Sequence, residues 1–440
     1  ILDSAAPIAS HFNMHVIDNG RTLDSSALEN EHVRIHPNQN VGGAGGFTYG
    51  MILAKEQNPK ATHVLLMDDD VAVSPEKRTY NLLRIVNNDY SEAMISGAML
   101  NYGIADQQWE DTGYMTPLGS FSPAKQPLYL SRFEDIVYNE TFRIPKNIRD
   151  TNARYAAWWY CCIPISTIEE NGLPLPYFVR CDDAEYGVRC NKPFMTMNSI
   201  CIWHESFHVR YNAAVERYQT TRNTLIAKFT TGFGTNSDFM YELKNNVRLE
   251  LKKYGYKNAS LVLDAFEDFM KGPDYYSEIG IAEKTFMEAN KRKEAMVPFS
   301  ELERQAREIG IEGFSIEDID RQQIIGDKPR SISQRLVDFI TDNKQRFLTG
   351  DGSGFAVIPV HGWEYPAGAI RGKKYLIVID WYNRMGCIRT KDAEKYAKLL
   401  KRYKADVKQY KKCEKELAEA YSNSRPIVTS DEFWKRYLGI

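Results

Sequence analysis

An apolar run that ends in three consecutive aspartates constrains this chain more than any other feature. Val64–Met67 has the hydrophobicity of a buried strand, and Asp68-Asp69-Asp70 follows it directly. Open α/β sheets bind ligands at the carboxyl ends of their strands, and adjacent carboxylates repel unless a positive charge lies between them. The run therefore predicts a strand that opens into a site for a divalent cation with oxygen ligands. The alternative is an acidic turn before a helix, since Ser74-Pro75-Glu76 is a good helix start.

Length and charge narrow the class of protein. The chain has 440 residues and a formal net charge of -2, which gives no reason to expect a nucleic-acid partner. No apolar run approaches the roughly 20 residues that a membrane span needs. The seven cysteines contain no C-x-x-C pair and favour reduced thiols in a cytoplasmic protein. The chain opens with Ile1 and shows no signal peptide, so we expect a fragment of something longer at its amino end.

Strand and helix patterns alternate through the first half of the chain. Met14–Ile17, His32–His36 and Ala93–Leu100 are predicted strands, and a glycine loop over Asn40–Gly46 precedes a helix predicted over Phe47–Glu56. This alternation predicts an α/β protein with a mostly parallel sheet covered by helices. The strand that ends at Asp18 has the place of a second strand, so the first would precede Ile1.

The pattern becomes helical from about Tyr218 onward. We therefore predict two domains, an α/β domain over 1–230 that lacks its first strand and a mainly helical domain over 231–440. A small β-like insert is predicted near 355–382, where glycine and proline punctuate apolar segments. A long charged helix is predicted over Asp392–Tyr421.

Further polar and aromatic residues are candidates for chemistry. Of the pair Asp182-Asp183, one carboxylate suits a helix N-cap and the other is free to act as a general base. Trp158-Trp159 suits the C–H faces of sugars, and core packing is the alternative. His204 follows the strand Ile200–Trp203 and is either a neutral metal ligand or a satisfied polar residue at a strand end. The glycine loop matches neither G-x-G-x-x-G nor the Walker pattern, so it is either a ligand-binding loop or a flexible turn.

Taken in order, these motifs resemble the family 2 glycosyltransferases of the GT-A fold, and most of all their galactofuranosyltransferase branch, known from the mycobacterial galactan polymerase. The similarity is dense over Val16–Asn223. Its motifs are Asn40-Val41-Gly42-Gly43-Ala44-Gly45-Gly46, Met67-Asp68-Asp69-Asp70, Trp158-Trp159, Leu173-Pro174-Leu175-Pro176, Asp182-Asp183-Ala184-Glu185-Tyr186-Gly187 and Ile202-Trp203-His204.

The resemblance implies a GT-A, Rossmann-like mixed sheet with helices on both faces, and an inverting transfer from a UDP-sugar, expected to be UDP-galactofuranose. The acceptor would be a lipid-linked or growing oligosaccharide. By this resemblance, Mn²⁺ or Mg²⁺ would be held by Asp68, Asp70 and His204, and Asp183 would be the general base. The nucleotide would be bound by Asp18, Asn40, Gly42, Gly43 and Asp69. The acceptor site would be lined by Trp158, Trp159 and Asp182, and Arg222 would lie beside the donor phosphates.

The chain also departs from that branch. Cys181 stands where the polymerase has a tryptophan beside the base. An acidic residue of the polymerase's acceptor region has no clear match around Gly113-Tyr114, and its amino-terminal β-rich domain has no counterpart. These departures leave the acceptor and the number of sugars added open.

Other functions fit parts of the pattern. Another nucleotide sugar, such as a rhamnosyl donor, would use the same metal, phosphate and base residues. A phosphohydrolase would want Thr or Val where Ala72 stands, and a degenerate glycan-binding module would not require Asp70, Asp183 and His204 together. The lysine-rich face of the helix over Asp392–Tyr421 either meets anionic lipid at the inner membrane face or is simply solvated. In the second case its Tyr/Leu stripe packs on the catalytic domain or on another subunit.

Overall fold

The computed structural model describes residues 6–73, 76–86, 90–116, 118–125, 127–144, 153–232, 239–319, 327–347, 350–361 and 366–440. The predicted helix start at Ser74-Pro75 lies outside them. The strands are β1 (Met14–Asp18), β2 (Val33–Pro37), β3 (His63–Met67), β4 (Ala72–Val73), β5 (Met94–Ser96), β6 (Ala98–Asn101), β7 (Ile104–Glu110), β8 (Gly113–Met115), β9 (Phe121–Pro123), β10 (Leu128–Tyr129), β11 (Arg154–Tyr155), β12 (Tyr160–Pro164), β13 (Phe194–Met195), β14 (Cys201–His204), β15 (Val297–Pro298), β16 (Phe355–Pro359), β17 (Tyr375–Asp380) and β18 (Met385–Thr390).

The helices are α1 (Ser25–Leu28), α2 (Gly42–Glu56), α3 (Glu76–Ile85), α4 (Phe133–Thr141), α5 (Ile165–Asn171), α6 (Asp182–Cys190), α7 (Thr220–Thr230), α8 (Phe239–Lys252), α9 (Tyr256–Met270), α10 (Pro273–Tyr276), α11 (Ile281–Arg292), α12 (Phe299–Glu308), α13 (Ile332–Thr341), α14 (Ala393–Val428) and α15 (Asp431–Leu438). The mixed α/β class that the sequence predicts is confirmed. The division into domains at residue 230 stays a prediction.

The strands form several small sheets in which antiparallel pairing dominates. Within the described ranges the strand orders are β1-β2, β10-β7-β6-β14-β4, β11-β8-β9, β13-β5-β12-β3 and β15-β18-β17-β16. β3 pairs antiparallel with β12, and β12 pairs antiparallel with β5. The expectation of a mostly parallel sheet is wrong because β12 runs back between β3 and β5. Strand–helix alternation along a chain does not reveal such a reversal.

Pairing of β14 places the end of one strand beside the three aspartates. Ile202 and Trp203 lie opposite Val73 and Ala72 in β4, while His204 lies opposite Asn101 in β6. Because β4 begins two residues after Asp70, this register carries His204 to the turn that follows β3. Backbone pairing therefore builds the site that the sequence predicts at this strand end.

The glycine-rich segment belongs to a helix, which corrects the prediction of a loop up to Gly46. α2 begins at Gly42, whose φ is +71°. A Cβ at Gly42 would lie 1.9 Å from the carbonyl oxygen of Phe178, so only glycine permits this approach. α2 contacts both β1 and β3 and joins their two sheets. Its first turn thereby lies against the segment that leads to Asp182.

The predicted strand Ala93–Leu100 is divided at Gly97 into β5 and β6. A Cβ at Gly97 would lie 2.7 Å from Cδ1 of Tyr160, and its backbone N–H donates to the Tyr160 carbonyl at 2.9 Å. This contact turns the chain from the sheet that contains β3 to the sheet that contains His204. Because β5 and β6 are both buried, their residues form one continuous apolar run, and the sequence does not show where the first strand ends and the second begins.

The largest hydrophobic core contains side chains from both halves of the chain. Met51 of α2 and Ile163 of β12 belong to the same buried cluster as Phe266 of α9 and Tyr421 of α14. The long helix α14 covers the predicted Asp392–Tyr421 and continues to Val428. Its aromatic stripe packs on the same chain, because Tyr421 stacks on Phe269 with ring centroids 5.3 Å apart.

The last helix returns to the glycine-rich helix. Trp434 of α15 is buried, and its indole Nε1 donates to the Pro174 carbonyl at 2.8 Å. Lys55 of α2 forms an ion pair with Asp431, and Lys435 of α15 forms one with Glu56. α2 is therefore enclosed between the sheet and α15.

We predict that Gly42→Ala destabilises the fold by at least about 2 kcal/mol, because the left-handed conformation and the overlap with Phe178 both oppose a side chain. Chemical denaturation would measure the free energy of unfolding. Gly43→Ala is the matched control, since Gly43 is exposed and the nearest atom to its Cβ lies 3.9 Å away. Equal stabilities of the two variants would contradict the assigned packing of the α2 start.

Candidate active site

The three predicted metal ligands come together in the structure. Asp68 and Asp70 follow β3, His204 ends β14, and one ligand atom of each lies within 4.8 Å of the others. Nε2 of His204 is 3.4 Å from Oδ1 of Asp70. Asp68 is half-buried, Asp70 is exposed and His204 is buried. The structure therefore brings these three side chains together, and metal binding by them stays a prediction.

The orientation of His204 suits a metal ligand. Its Nδ1 donates to the backbone carbonyl of Glu205 at 2.6 Å, which leaves the lone pair of Nε2 directed toward Asp70. A backbone partner on the far nitrogen is the usual way in which proteins fix a metal-binding imidazole. Two carboxylates and one imidazole nitrogen form a donor set that is compatible with a divalent cation such as Mn²⁺ or Mg²⁺.

Arg210 lies beside these ligands, and sequence reasoning missed it. Its guanidinium pairs with Asp70 and also donates from Nε to Glu205 at 2.8 Å. The hydroxyl of Tyr382 donates to the other carboxylate oxygen of Glu205. The sequence indicates that Arg210 belongs to the site only through its position, six residues after His204. This arginine is a positive group at the edge of the carboxylate cluster.

The second acidic pair opens α6 on a constrained backbone. Arg180 and Cys181 both have positive φ, +71° and +66°, a conformation that is costly for residues with side chains. The side-chain amide of Asn223 donates to the carbonyls of Val179 and Arg180, at 3.1 and 2.8 Å. These bonds hold the turn that aims Asp182 and Asp183.

Mutual repulsion and burial raise the pKa of the acids in this region. Burial raises the pKa of Asp68 to about 7, with further contributions from Asp70 and Asp182. Burial also raises the pKa of Asp182 and of Asp183, and Asp68 adds to the rise at Asp183. The backbone N–H of Ala184, which donates to Asp183 at 2.7 Å, opposes the rise. The two acidic motifs therefore form one electrostatic cluster.

Glu110 is a further member of this cluster that sequence reasoning missed. It ends β7, is buried, and has its pKa raised to about 8 by burial and by the charge of Asp183. The neighbouring Asp111 forms an ion pair with Lys125. The acidic residue of the polymerase has no match around Gly113-Tyr114, and Glu110 lies three positions before Gly113. The available sequence signal is the acidic pair Glu110-Asp111 itself.

The two tryptophans lie in the interior. The ring of Trp158 packs between Phe47 and Tyr186, with centroids 5.3 and 5.7 Å away. Nε1 of Trp159 donates to the Gly97 carbonyl at 2.9 Å. Both residues are buried, so the core-packing alternative describes them here. Their role in lining an acceptor site stays a prediction.

Three of the predicted nucleotide residues lie at the start of α2, since Asn40 precedes the helix and Gly42 and Gly43 open it. The carboxylate of Asp18 accepts from the N–H groups of Gly20 and Leu23, which lowers its pKa, with the Leu23 bond as the largest cause. Oδ1 of Asn40 accepts from Gly42 N–H at 3.3 Å. Gly43 and Asp69 are exposed. The amino end of a 15-residue helix favours anions, and nucleotide binding at these residues stays a prediction.

Arg222 makes its contacts inside the protein, and a place beside the donor phosphates stays a prediction. Its guanidinium is buried and donates to the side chains of Asn223, Gln219 and Thr285, at 3.1, 2.9 and 3.0 Å. Arg222 thereby orients the Asn223 amide that holds the turn before Asp182. A sequence motif shows which residue is present but not which way its side chain turns.

Comparison with known proteins agrees with the motifs. The chain is 26% identical over 274 residues to the galactofuranosyltransferase GlfT2 of Mycobacterium tuberculosis. Its sequence is similar to that of galactofuranosyltransferases. The aligned part is 58% of this chain and 41% of that relative. GlfT2 of Mycolicibacterium smegmatis is 25% identical over 285 residues, which cover 62% of this chain and 43% of the relative.

The chain spans about two fifths of the length of these curated relatives. No family model matches it. The comparisons support a relationship to glycosyltransferases.

We predict that Glu110→Gln stabilises the metal-free protein, and more so at pH 8 than at pH 6. The raised pKa means that the folded chain binds this proton more tightly than the unfolded chain, so the wild type loses stability as the pH rises toward about 8. The neutral variant has no such loss and should gain roughly 1–3 kcal/mol at pH 8. Urea denaturation at the two pH values measures the difference. The exposed Glu134→Gln is the control, and an equal gain at both pH values would rule out a buried ionisable Glu110.

Proposed function

We propose that the chain is a metal-dependent glycosyltransferase of the GT-A type that transfers a sugar from a UDP donor with inversion. The observation that supports this most is the proximity of a metal-ligand set to a second acidic pair. Asp68, Asp70 and His204 offer three ligand atoms within 4.8 Å, and Asp183 lies close enough for the charge of Asp68 to raise its pKa.

The metal ligands and Arg210 would form the donor-phosphate side of the site. A divalent cation held by Asp68, Asp70 and His204 would neutralise the charge that develops on the departing diphosphate. Arg210, which contacts Asp70, would add a second positive group on the same side. The amino end of α2 would approach the nucleotide, because Gly42 packs on Phe178 in the segment that leads to Asp182.

Asp183 would be the general base. Its carboxylate would take the proton of an acceptor hydroxyl while that oxygen forms a bond to the anomeric carbon of the donor sugar. The bond from the anomeric carbon to the diphosphate oxygen breaks, and its electron pair leaves with UDP. Because attack and departure occur on opposite faces, the anomeric carbon is inverted. The raised pKa suits this role, since a stronger base accepts the proton more readily.

Galactofuranose is the proposed sugar, and a cell-surface glycan, either lipid-linked or a free oligosaccharide, is the proposed acceptor. Support for the sugar comes from the two relatives named as galactofuranosyltransferases. Cys181 is buried at the start of α6, where the resemblance implies a tryptophan. A smaller side chain beside the base would affect which acceptor is recognised more than which donor is recognised.

We predict that UDP binds in a metal-dependent manner and that His204→Ala weakens this binding at least about tenfold, because the imidazole supplies one of three ligands. Calorimetric titration of UDP with and without Mn²⁺ is the measurement. His32→Ala is the control, since His32 contacts Glu31 at the surface. Metal-independent UDP binding of equal strength in all three proteins would refute the assigned donor site.

We predict that Asp183→Asn lowers the rate of transfer by roughly 10²–10⁴-fold, because the amide cannot take the acceptor proton. UDP and Mn²⁺ affinities should stay within a factor of about two, since the metal ligands are intact. Turnover of UDP-galactofuranose with a synthetic galactofuranoside acceptor is the readout, and the exposed Asp274→Asn is the matched control. Normal transfer by Asp183→Asn would show that another group is the base.

A further inference from the structure

The helix α13 presents its apolar side to solvent. The exposed fractions are 86% for Ile332, 58% for Leu336, 62% for Phe339 and 49% for Ile340. These positions follow helical spacing, so they form one continuous face, here called the apolar stripe. Phe347, shortly after the helix, is 70% exposed and extends the stripe. Among the described residues, Arg248 lies 5.1 Å from the centroid of the Phe339 ring, and Phe339 still remains mostly exposed.

The opposite, polar side holds α13 on the protein. Asp338 is buried and accepts from Arg371 Nε at 2.9 Å and from Arg330 Nη1 at 3.1 Å. Asp342, just after the helix, is also buried and accepts from the Tyr396 hydroxyl at 2.6 Å. The helix begins with a capping box between Ser331 and Gln334. Buried ion pairs and a capped start therefore fix this helix with its apolar stripe outward.

Positive charge adjoins the stripe at Phe347. The guanidinium of Arg346 lies 4.4 Å from the centroid of the Phe347 ring, and both residues are exposed. Arg346 also lines a cavity of about 400 Å³ together with Lys401 and Lys404 of α14, and no acidic residue lines it. α14 continues with exposed lysines at helical spacing, namely Lys408, Lys411, Lys412 and Lys415, which together with Lys401 and Lys404 are here called the basic face.

We propose that α13 and the basic face of α14 bind the surface of an anionic membrane. The apolar stripe would enter the boundary between headgroups and acyl chains, as amphipathic helices do when they lie in the interface plane. Arg346, Lys401 and Lys404 would bind lipid phosphates in the adjoining cavity, and each further basic residue near the surface would strengthen the attraction. The exposed acids Asp327 and Glu394, together with Glu416 and Glu419 of α14, are outnumbered by these seven cations. No described helix is long and apolar enough to cross a bilayer.

A second copy of the chain is a poorer occupant. A two-fold interface brings the same surface of each copy together, so Arg346, Lys401 and Lys404 of one copy would face those of the other. Like charges at such a contact oppose association. An anionic bilayer satisfies the charges and the apolar stripe together, and this proposal does not depend on the proposed catalysis.

The test is sedimentation of the full chain with vesicles. The wild-type protein should bind vesicles made of equal parts phosphatidylcholine and phosphatidylglycerol, and this binding should weaken in high salt. It should bind vesicles of pure phosphatidylcholine only weakly. Ile332→Ser/Phe339→Ser should reduce the partition coefficient at least about tenfold. Lys401→Glu/Lys404→Glu should reduce it by a similar factor.

The matched control is Ile85→Ser/Phe133→Ser, which removes one isoleucine and one phenylalanine of similar exposure on α3 and α4. Circular dichroism melts would show that all variants fold. Equal vesicle binding by the control and the stripe variant, or no binding by wild type, would overturn the proposal. So would a wild-type dimer in light scattering that the stripe variant alone abolishes, because the stripe would then be a contact between copies.

Discussion

Repulsion among buried carboxylates is the constraint on which the rest of the structure depends. Four acidic residues from three different parts of the chain meet in this cluster, namely Asp68, Asp182, Asp183 and Glu110. Burial raises the pKa of each, and a neighbouring acid adds to the rise. Folding brings these groups together at a cost in free energy, which a cation or a proton lowers. The arginines at the rim of the cluster, Arg180 and Arg210, offset part of that cost.

The cluster is held by the helical half of the chain as well as by the sheets. Asn223 of α7 bonds the two carbonyls before Asp182, and Arg222 bonds Asn223 and also Thr285 of α11. The strained turn at Arg180 and Cys181 is thus fixed from a neighbouring helix. Substitutions in α7 and α11 should therefore affect the aim of Asp183 although neither helix carries a predicted catalytic group.

Features that are local in sequence could be predicted, while those that depend on distant packing could not. The strands that end at the three aspartates and at His204 are visible in the sequence, and the family resemblance implies that Asp68, Asp70 and His204 share a metal. Because β3 and β14 belong to different sheets, their meeting depends on how those sheets pack. The helical start at Gly42 is not evident from the sequence because glycines are poor helix formers, and the close approach of Gly42 to Phe178 is visible only in the structure. The burial of Arg222 depends on side-chain direction, which no motif encodes. The apolar periodicity of α13 would ordinarily predict burial, and buried ion pairs on its polar side reverse it.

The return of α15 to α2 has a consequence for how the chain folds during synthesis. Lys55 and Asp431 are 376 residues apart, yet their ion pair helps to enclose the glycine-rich helix. At ribosomal rates of about 5–20 residues per second, α2 would wait roughly 20–75 s for its covering helix. During that interval the apolar surface that Trp434 later covers stays open to solvent or to a chaperone. Enclosure of the glycine-rich helix therefore has to wait for the synthesis of α15.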